Sequence, residues 1–147
     1  MNIIVVGDGK VGLAIIAQLS REGHDLTVID SNPNELENSV EQCDVMVIRG
    51  NGASLSVLRE AGADNADLLI AATSTDEVNI LTCILARRLG TRHTIARVRN
   101  PEYAEQLHFL REELGLSMTV NPELDAATEA YRILQFPSFL GRETFAK

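Results

Sequence analysis

The stretch VVGDGKVGLA, residues 5–14, decides how this chain reads. It leaves the β-branched run NIIVV (2–6). It then opens a segment, Val11 to Arg21, whose apolar residues Val11, Ala14, Ile15, Ile16 and Leu19 recur at helical spacing. Gly7, Gly9 and Gly12 stand at G-x-G-x-x-G. Alone, that pattern is a weak signal. Here it follows a strand and starts a helix, and its βαβ unit, Asn2 to Asp30, has about the expected 30 residues and ends in an acid. The three glycines then serve different ends. Gly7 permits the tight turn, Gly9 leaves room for a pyrophosphate, and Gly12 lets the helix approach the strand. The phosphates would lie on free N–H groups at the positive end of the helix.

Outward from that unit, strands and helices alternate. LTVID (26–30), VMVI (45–48), DLLIAAT (67–73), TIARV (94–98) and SMTV (117–120) read as strands two to six. Between them, Asn32-Pro33-Asn34-Glu35 reads as a capped helix start and Ser54 to Ala61 as a short helix stopped by Gly62. Ser74-Thr75-Asp76-Glu77 reads as a capping box opening a helix to Leu89, ended by Gly90. Pro101 opens a helix to Leu114, before Gly115, and Pro122 opens a last one to about Gln135. Six strands each followed by a helix predict an α/β fold. It is a Rossmann-like, doubly wound, six-stranded parallel sheet of order 3-2-1-4-5-6 with helices on both faces. Residues 1–135 form the nucleotide-binding domain. The tail, 136–147, holds Phe136, Phe139 and Phe145, three of the chain's four phenylalanines. It either folds back on its own core or is a crossover segment contacting a second subunit or a following domain.

A length of 147 residues fits one domain with a core of its own. A net charge of −8 repels a phosphate backbone, so nucleic acid is not an expected partner. No apolar run reaches the roughly 18 residues of a membrane span, and the short N-terminal run lacks the basic flank of a signal peptide. Cys43 and Cys83 lie in no metal-ligand spacing and read as buried free thiols of a reducing cytoplasm.

Candidate ligand contacts collect at the strand C-terminal ends. Asp30, 23 residues beyond Gly7, can accept both ribose hydroxyls of an adenosine and would repel a 2′-phosphate, which favours NAD or an adenine nucleotide over NADP. Ser31 and Asn32 follow it. Asn32 serves the adenosine or the helix cap. Lys10 opposes the macrodipole in the first helical turn. It either meets a terminal phosphate, as of ATP or ADP, or is a solvated surface lysine. Asn51 and Gly52 can approach the adenine. Thr73 and Ser74 sit at the crossover between halves, with Asp76 and Asn79 as polar groups near the cleft. Arg97, inside an apolar strand, needs an anion, either a ligand phosphate or an acid such as Asp76. Arg99 reads as a solvated loop cation. His24 and His93 fall at the opposite end of the sheet, and His108 at core-like spacing to Tyr103, Leu107 and Leu110. No Ser-His-Asp, Cys-His or metal constellation emerges, so no catalytic residue is expected.

The segments GDGKVG, DLTVIDSNP, VIRGNGASLSVLREAGADNADLLIAATSTDEVNILTCILAR, IARVRNPEY and VNPELDAA closely resemble the TrkA-type regulatory subunits of bacterial potassium transporters, in their KTN or RCK N-terminal domain. The resemblance covers essentially the whole chain, and its stretch from Gly50 to Arg87 is far more specific than the glycine motif. It implies a Rossmann domain that binds NAD, NADH, ATP or ADP without catalysis. Ligand binding then changes the arrangement of a homo-oligomeric dimer or ring and gates a membrane potassium transporter or channel from the cytoplasm. It implies that the backbone of Gly7, Asp8, Gly9, Lys10 and Val11 cradles the phosphates and Asp30 holds the ribose. Asn51, Gly52, Thr73, Ser74 and Arg97 would add contacts, and Glu123 is a weak candidate near metal or phosphate. The family's C-terminal ligand-binding domain is not within these 147 residues. The alternative is the cofactor-binding half of an NAD-dependent oxidoreductase.

Overall fold

The computed structural model describes residues 1–7, 9–32, 45–110 and 118–120, with only the main chain at Lys10, Val11 and 118–120. Strands β1 (Asn2–Val6), β2 (Asp25–Asp30), β3 (Met46–Arg49), β4 (Leu68–Ala71), β5 (His93–Arg97) and β6 (Met118–Val120) form one parallel sheet, ordered β3-β2-β1-β4-β5-β6. The described helices are α1 (Lys10–Arg21), α2 (Leu55–Glu60), α3 (Asp76–Leu89) and α4 (Pro101–Phe109). The predicted sheet order is the one observed. The helix expected from Asn32, the last helix from Pro122, the tail with its phenylalanines, Cys43 and Gly115 lie outside the described residues.

Alternation along the central strands builds two cores. Ile3 and Val5 of β1 and Leu68 and Ile70 of β4 face α1, packing with Ile15, Ile16 and Leu19. Ile4 and Val6, with Leu69 and Ala71, face the other way, against Leu58 of α2, Cys83 and Ala86 of α3 and Leu107 of α4. β1 and β4 are therefore apolar on both faces, as expected of strands at the centre of a doubly covered sheet. Cys83 is fully buried, and desolvation pushes its thiol pKa far above the ordinary range, so it behaves as a core residue.

Three local expectations change. α3 does not begin with a capping box at Ser74. Its N-cap is Thr75, which makes no side-chain cap bond; Thr73 instead supplies a hydroxyl to the Thr75 N–H, and Glu77 accepts the Tyr103 hydroxyl at 2.8 Å. α4 ends at Phe109 rather than Leu114, closed by the Leu110 N–H on the Gln106 carbonyl. His108 is exposed, because the buried stripe of α4 runs through Leu107, not through its neighbour.

Candidate functional site

The sheet order reverses direction between β1 and β4. Such a switch point opens a crevice at the strand C-terminal ends. A cleft of about 450 Å³ lies there, lined by Gly7, Gly9, Asp30, Ser31, Asn51, Gly52, Thr73, Ser74 and Arg97. Its size falls in the range of small-ligand sites. A larger depression, about 880 Å³, lies at the opposite end around Asn2, His24, Asp25 and Asn65. Among the described residues it is lined by the C-terminal ends of α1 and α2 and the turns after them, and by no helix N-terminus of the kind that holds phosphate.

The glycine loop is shaped by packing as much as by ligand space. Gly7 has φ +87°, and a Cβ there would stand 3.0 Å from the Thr73 nitrogen and 3.1 Å from the Ala72 carbonyl. Only glycine takes that conformation beside the end of β4 without strain. Gly9 is the N-cap of α1 and offers no side chain to satisfy its first N–H groups, and the first turn carries no acid. An anion in the cleft would meet the positive end of α1 unopposed. Gly12 is buried, in keeping with close helix–strand approach, and does not line the cleft. Asp8 lies outside the described residues, and Lys10 and Val11 contribute the main chain of the first helical turn.

In the first half of the sheet, Asp30 lines the cleft and its Oδ1 accepts the Asn32 N–H at 2.8 Å. Asn32 thus shapes the Asp30 turn and does not itself line the cleft. Asn51 folds over its own loop, its Oδ1 accepting from the Ala53 N–H at 2.9 Å. Gly52 is buried, and a Cβ there would fall well inside van der Waals distance of Val6 Cγ1. Its lack of a side chain serves the β1 contact as well as the cleft.

In the second half, hydrogen bonds have already claimed several predicted ligand contacts. Asn79 is fully buried. Its Oδ1 accepts from the Thr73 N–H at 2.9 Å and the Thr73 hydroxyl at 2.7 Å, while its Nδ2 donates to the Thr73 carbonyl at 3.0 Å and the Arg97 carbonyl at 2.8 Å. All four capacities of the amide are used, so Asn79 clamps the β4 turn to the end of β5. Asp76 does not line the cleft and does not pair with Arg97. Its carboxylate accepts the Arg99 N–H with both oxygens at 3.0 Å and the Asn100 N–H at 2.8 Å, stapling the β5–α4 turn. Arg99, expected in solvent, is exposed but donates from Nη2 to the Ser74 carbonyl at 2.8 Å.

Arg97 is the group left uncompensated. Nη1 donates to the Thr73 carbonyl at 3.0 Å, and Nε is buried without a hydrogen-bond partner. No carboxylate among the described residues pairs with it. Burial, then the neighbouring Arg99, pull its pKa down, and Asp76 pulls the other way. Such a guanidinium is stabilised by an arriving anion. The sequence reading missed the apolar floor made by Val6, Ile29, Ala72 and Val78. The available signal was that Val6, Ile29 and Ala72 sit at or just beyond the ends of strands whose register is now visible. Glu123 lies outside the described residues, and no group of three or more His, Cys, Asp or Glu able to hold a metal occurs among the described ones.

Comparison with known proteins places this geometry. The chain is 36% identical over 146 residues to a Trk system potassium uptake protein TrkA homolog of Archaeoglobus fulgidus. It is 35% identical over 149 residues to Trk system potassium uptake protein TrkA of Haemophilus influenzae. Each alignment covers 99% of this chain but only 33% and 32% of those relatives, so the chain spans about a third of their length. Among solved structures, the GsuK channel bound to NAD superposes with a TM-score of 0.68 at 24% identity, covering 81% of this chain and 21% of that one. The Kef C-terminal domain of Shewanella denitrificans in its AMP-bound form superposes at 0.67 and 24% identity, covering 97% of this chain and 88% of that one. These two likenesses establish the shared fold. The model of the TrkA-N domain matches residues 3–122, and the chain belongs to that family.

Proposed function

We propose that this chain is a nucleotide-sensing regulatory domain that binds NAD, NADH, ATP or ADP in the β1/β4 cleft without transforming it. The observation that carries the reading is one cleft joining the glycine loop and helix N-terminus of α1 to the Asp30 carboxylate on one side and the Arg97 guanidinium on the other. Phosphate, ribose and a distal group each find a complementary surface there. The Asp30 carboxylate disfavours NADP by repelling a 2′-phosphate. Two further facts support the reading: the relatives are potassium uptake proteins, and neighbours of the same fold hold NAD or AMP. No described helix is long and apolar enough to cross a membrane. In this reading the domain acts in a homo-oligomer, on the cytoplasmic side of a membrane-embedded potassium transporter or channel, as the kinship with potassium uptake proteins suggests. A ligand that prefers one arrangement of subunits shifts that equilibrium by its difference in affinity and so gates the partner.

Titration calorimetry of the 147-residue chain with AMP, ADP, ATP, NAD and NADH tests the binding. Asp30→Ala is expected to weaken every adenosine ligand by about tenfold or more, the loss of one charged hydrogen-bond acceptor. Unchanged affinities in that variant would refute the site. Reproducible hydride transfer from NADH to a carbonyl substrate would favour the oxidoreductase alternative.

A further inference from the structure

We propose that Arg97 is the specificity determinant of this cleft, a fixed cation that reads the charge of the ligand's distal half and favours a neutral or anionic group over a cationic one. The inference rests on the nucleotide reading above.

The topology divides the cleft in two. Asp30 and Asn51 end β2 or follow β3, on the side that takes the adenosine in a doubly wound fold. Arg97 ends β5, beyond the switch point, where the second half of a dinucleotide must lie. Two of the other polar residues on that side, Thr73 and Asp76, are committed. The Thr73 N–H and hydroxyl both go to Asn79, and the Asp76 carboxylate goes to the Arg99 and Asn100 N–H groups. The Arg97 guanidinium is not fully spent: Nε is buried without a partner, and the bond it makes to a described residue runs from Nη1. Its one bond, to the Thr73 carbonyl, duplicates a bond that Asn79 already makes, so tethering the turn does not account for the charge. The second cation nearby, Arg99, reinforces the sign. Asp76 offsets only one of the two.

The Asn79 clamp makes the charge immobile. Its amide holds the Arg97 carbonyl and the Thr73 carbonyl that receives Nη1. A guanidinium fixed at both its main chain and its side chain discriminates by field, because it cannot swing away from an unfavourable group. The oxidised nicotinamide ring carries a positive charge, and the reduced ring has nearly the same shape without it. The pair therefore isolates the charge from size and hydrogen bonding.

The decisive experiment is titration calorimetry of the 147-residue chain with AMP, NAD and NADH, in the wild type, Arg97→Gln and Arg97→Lys. AMP carries the adenosine half alone, and its affinity in each variant is the reference against which the two dinucleotides are read. In the wild type, NADH should bind about five- to tenfold more tightly than NAD, from one like-charge contact in a partly wet cleft. Arg97→Gln should reduce that ratio to within about twofold, and Arg97→Lys should keep most of it. Equal affinity for the two in the wild type, or a preference that survives Arg97→Gln, overturns the proposal while AMP binding leaves the nucleotide site standing. Failure of the wild type to bind AMP, NAD or NADH overturns both. If Arg97→Gln does not fold, the wild-type preference must still shrink as salt rises from about 0.05 to 0.5 M, and a salt-indifferent ratio would overturn the assignment.

Discussion

Replacing Asn79 by aspartate exchanges one NH₂ group for an oxygen, and the structure says which two bonds suffer. The Nδ2 donations to the Thr73 carbonyl at 3.0 Å and the Arg97 carbonyl at 2.8 Å become contacts between a carboxyl oxygen and two carbonyls. The two bonds accepted by Oδ1 survive. The amide orientation is not arbitrary: rotated by half a turn, it would set NH₂ against the Thr73 N–H and the carbonyl oxygen against two acceptors. With the residue fully buried, the variant is best accommodated as a neutral acid, whose hydroxyl can restore one of the two lost donations. That leaves about 1 kcal/mol for the second bond. Ionisation costs more. Burial and the two carbonyls hold that carboxyl above the ordinary carboxylate range, so ionising it in the fold adds a penalty on the order of 3 kcal/mol at pH 7 and about half of that at pH 5.

The sign follows from proton binding. The folded variant holds its proton to a higher pH than the unfolded chain does. The stability tied to that proton is therefore fully present below the unfolded pKa and is lost as pH rises through the folded one. Urea denaturation of Asn79→Asp and the wild type at both pH values, compared at each, should show a destabilisation of about 4 kcal/mol at pH 7 that shrinks by about 2 kcal/mol at pH 5. A variant within about 0.5 kcal/mol of wild type at pH 7, or one whose deficit grows on acidification, would refute the clamp as described.

Gly52→Ala should destabilise the fold by about 1–3 kcal/mol in thermal or urea melts, because its methyl group must displace Val6 in the central strand. Lys10→Ala should weaken ATP more than NAD in calorimetric titration, and equal losses would leave Lys10 no terminal-phosphate role. His93 has its pKa lowered, first by burial and then by Arg87 and Arg92, so below the ordinary histidine pKa the unfolded chain binds more protons and stability falls as pH falls. Replacing His93 by Gln should flatten that part of the stability–pH curve, and an unchanged slope would place the titration elsewhere.

Periodicity and punctuation made most of the architecture legible. β1 and β4 announce themselves as unbroken apolar runs, and Gly90 and Pro101 mark a helix end and a helix start where they are observed. Cleft membership was also readable for Gly7, Gly9, Asp30, Gly52 and Arg97, because strand C-terminal ends must converge at the switch point. What the chain did not disclose is how its polar groups divide between ligand and fold. Ser74 reads as a helix cap or a ligand contact, and Asp76 as a polar group near the cleft. In the fold, Asp76 binds main-chain N–H groups 23 and 24 residues away, and Ser74 gives its carbonyl to Arg99. Local spacing carries no trace of such partners, since two strands must first lie side by side. The same holds for His108: a helix of nine residues leaves a one-position error in the stripe enough to move a side chain from core to water.

That division bears on how a bound nucleotide could act at a distance. The wall of the cleft at Thr73–Ser74 is tied to β5 through Asn79 and Arg97 and to the β5–α4 turn through the Arg99 side chain. The Asp76 carboxylate holds the Asn100 N–H, and Asn100 in turn caps α4 by accepting from the Glu102 N–H at 2.9 Å. Tyr103 adds a bond from α4 back to Glu77 of α3. A ligand group that pushes on Ser74 or pulls on Arg97 therefore cannot move either without loading the start of α4. The far end of that helix carries Phe109, 84% exposed. In the adenosine half, Asp30 accepts from Asn32 and Asn51 from Ala53, and the Gly50 N–H donates to the Asp30 carbonyl at 3.0 Å. A group bound in the second half of the cleft is thereby coupled to α4. Ligands sharing an adenosine and differing beyond it would compete for one site and still load α4 differently.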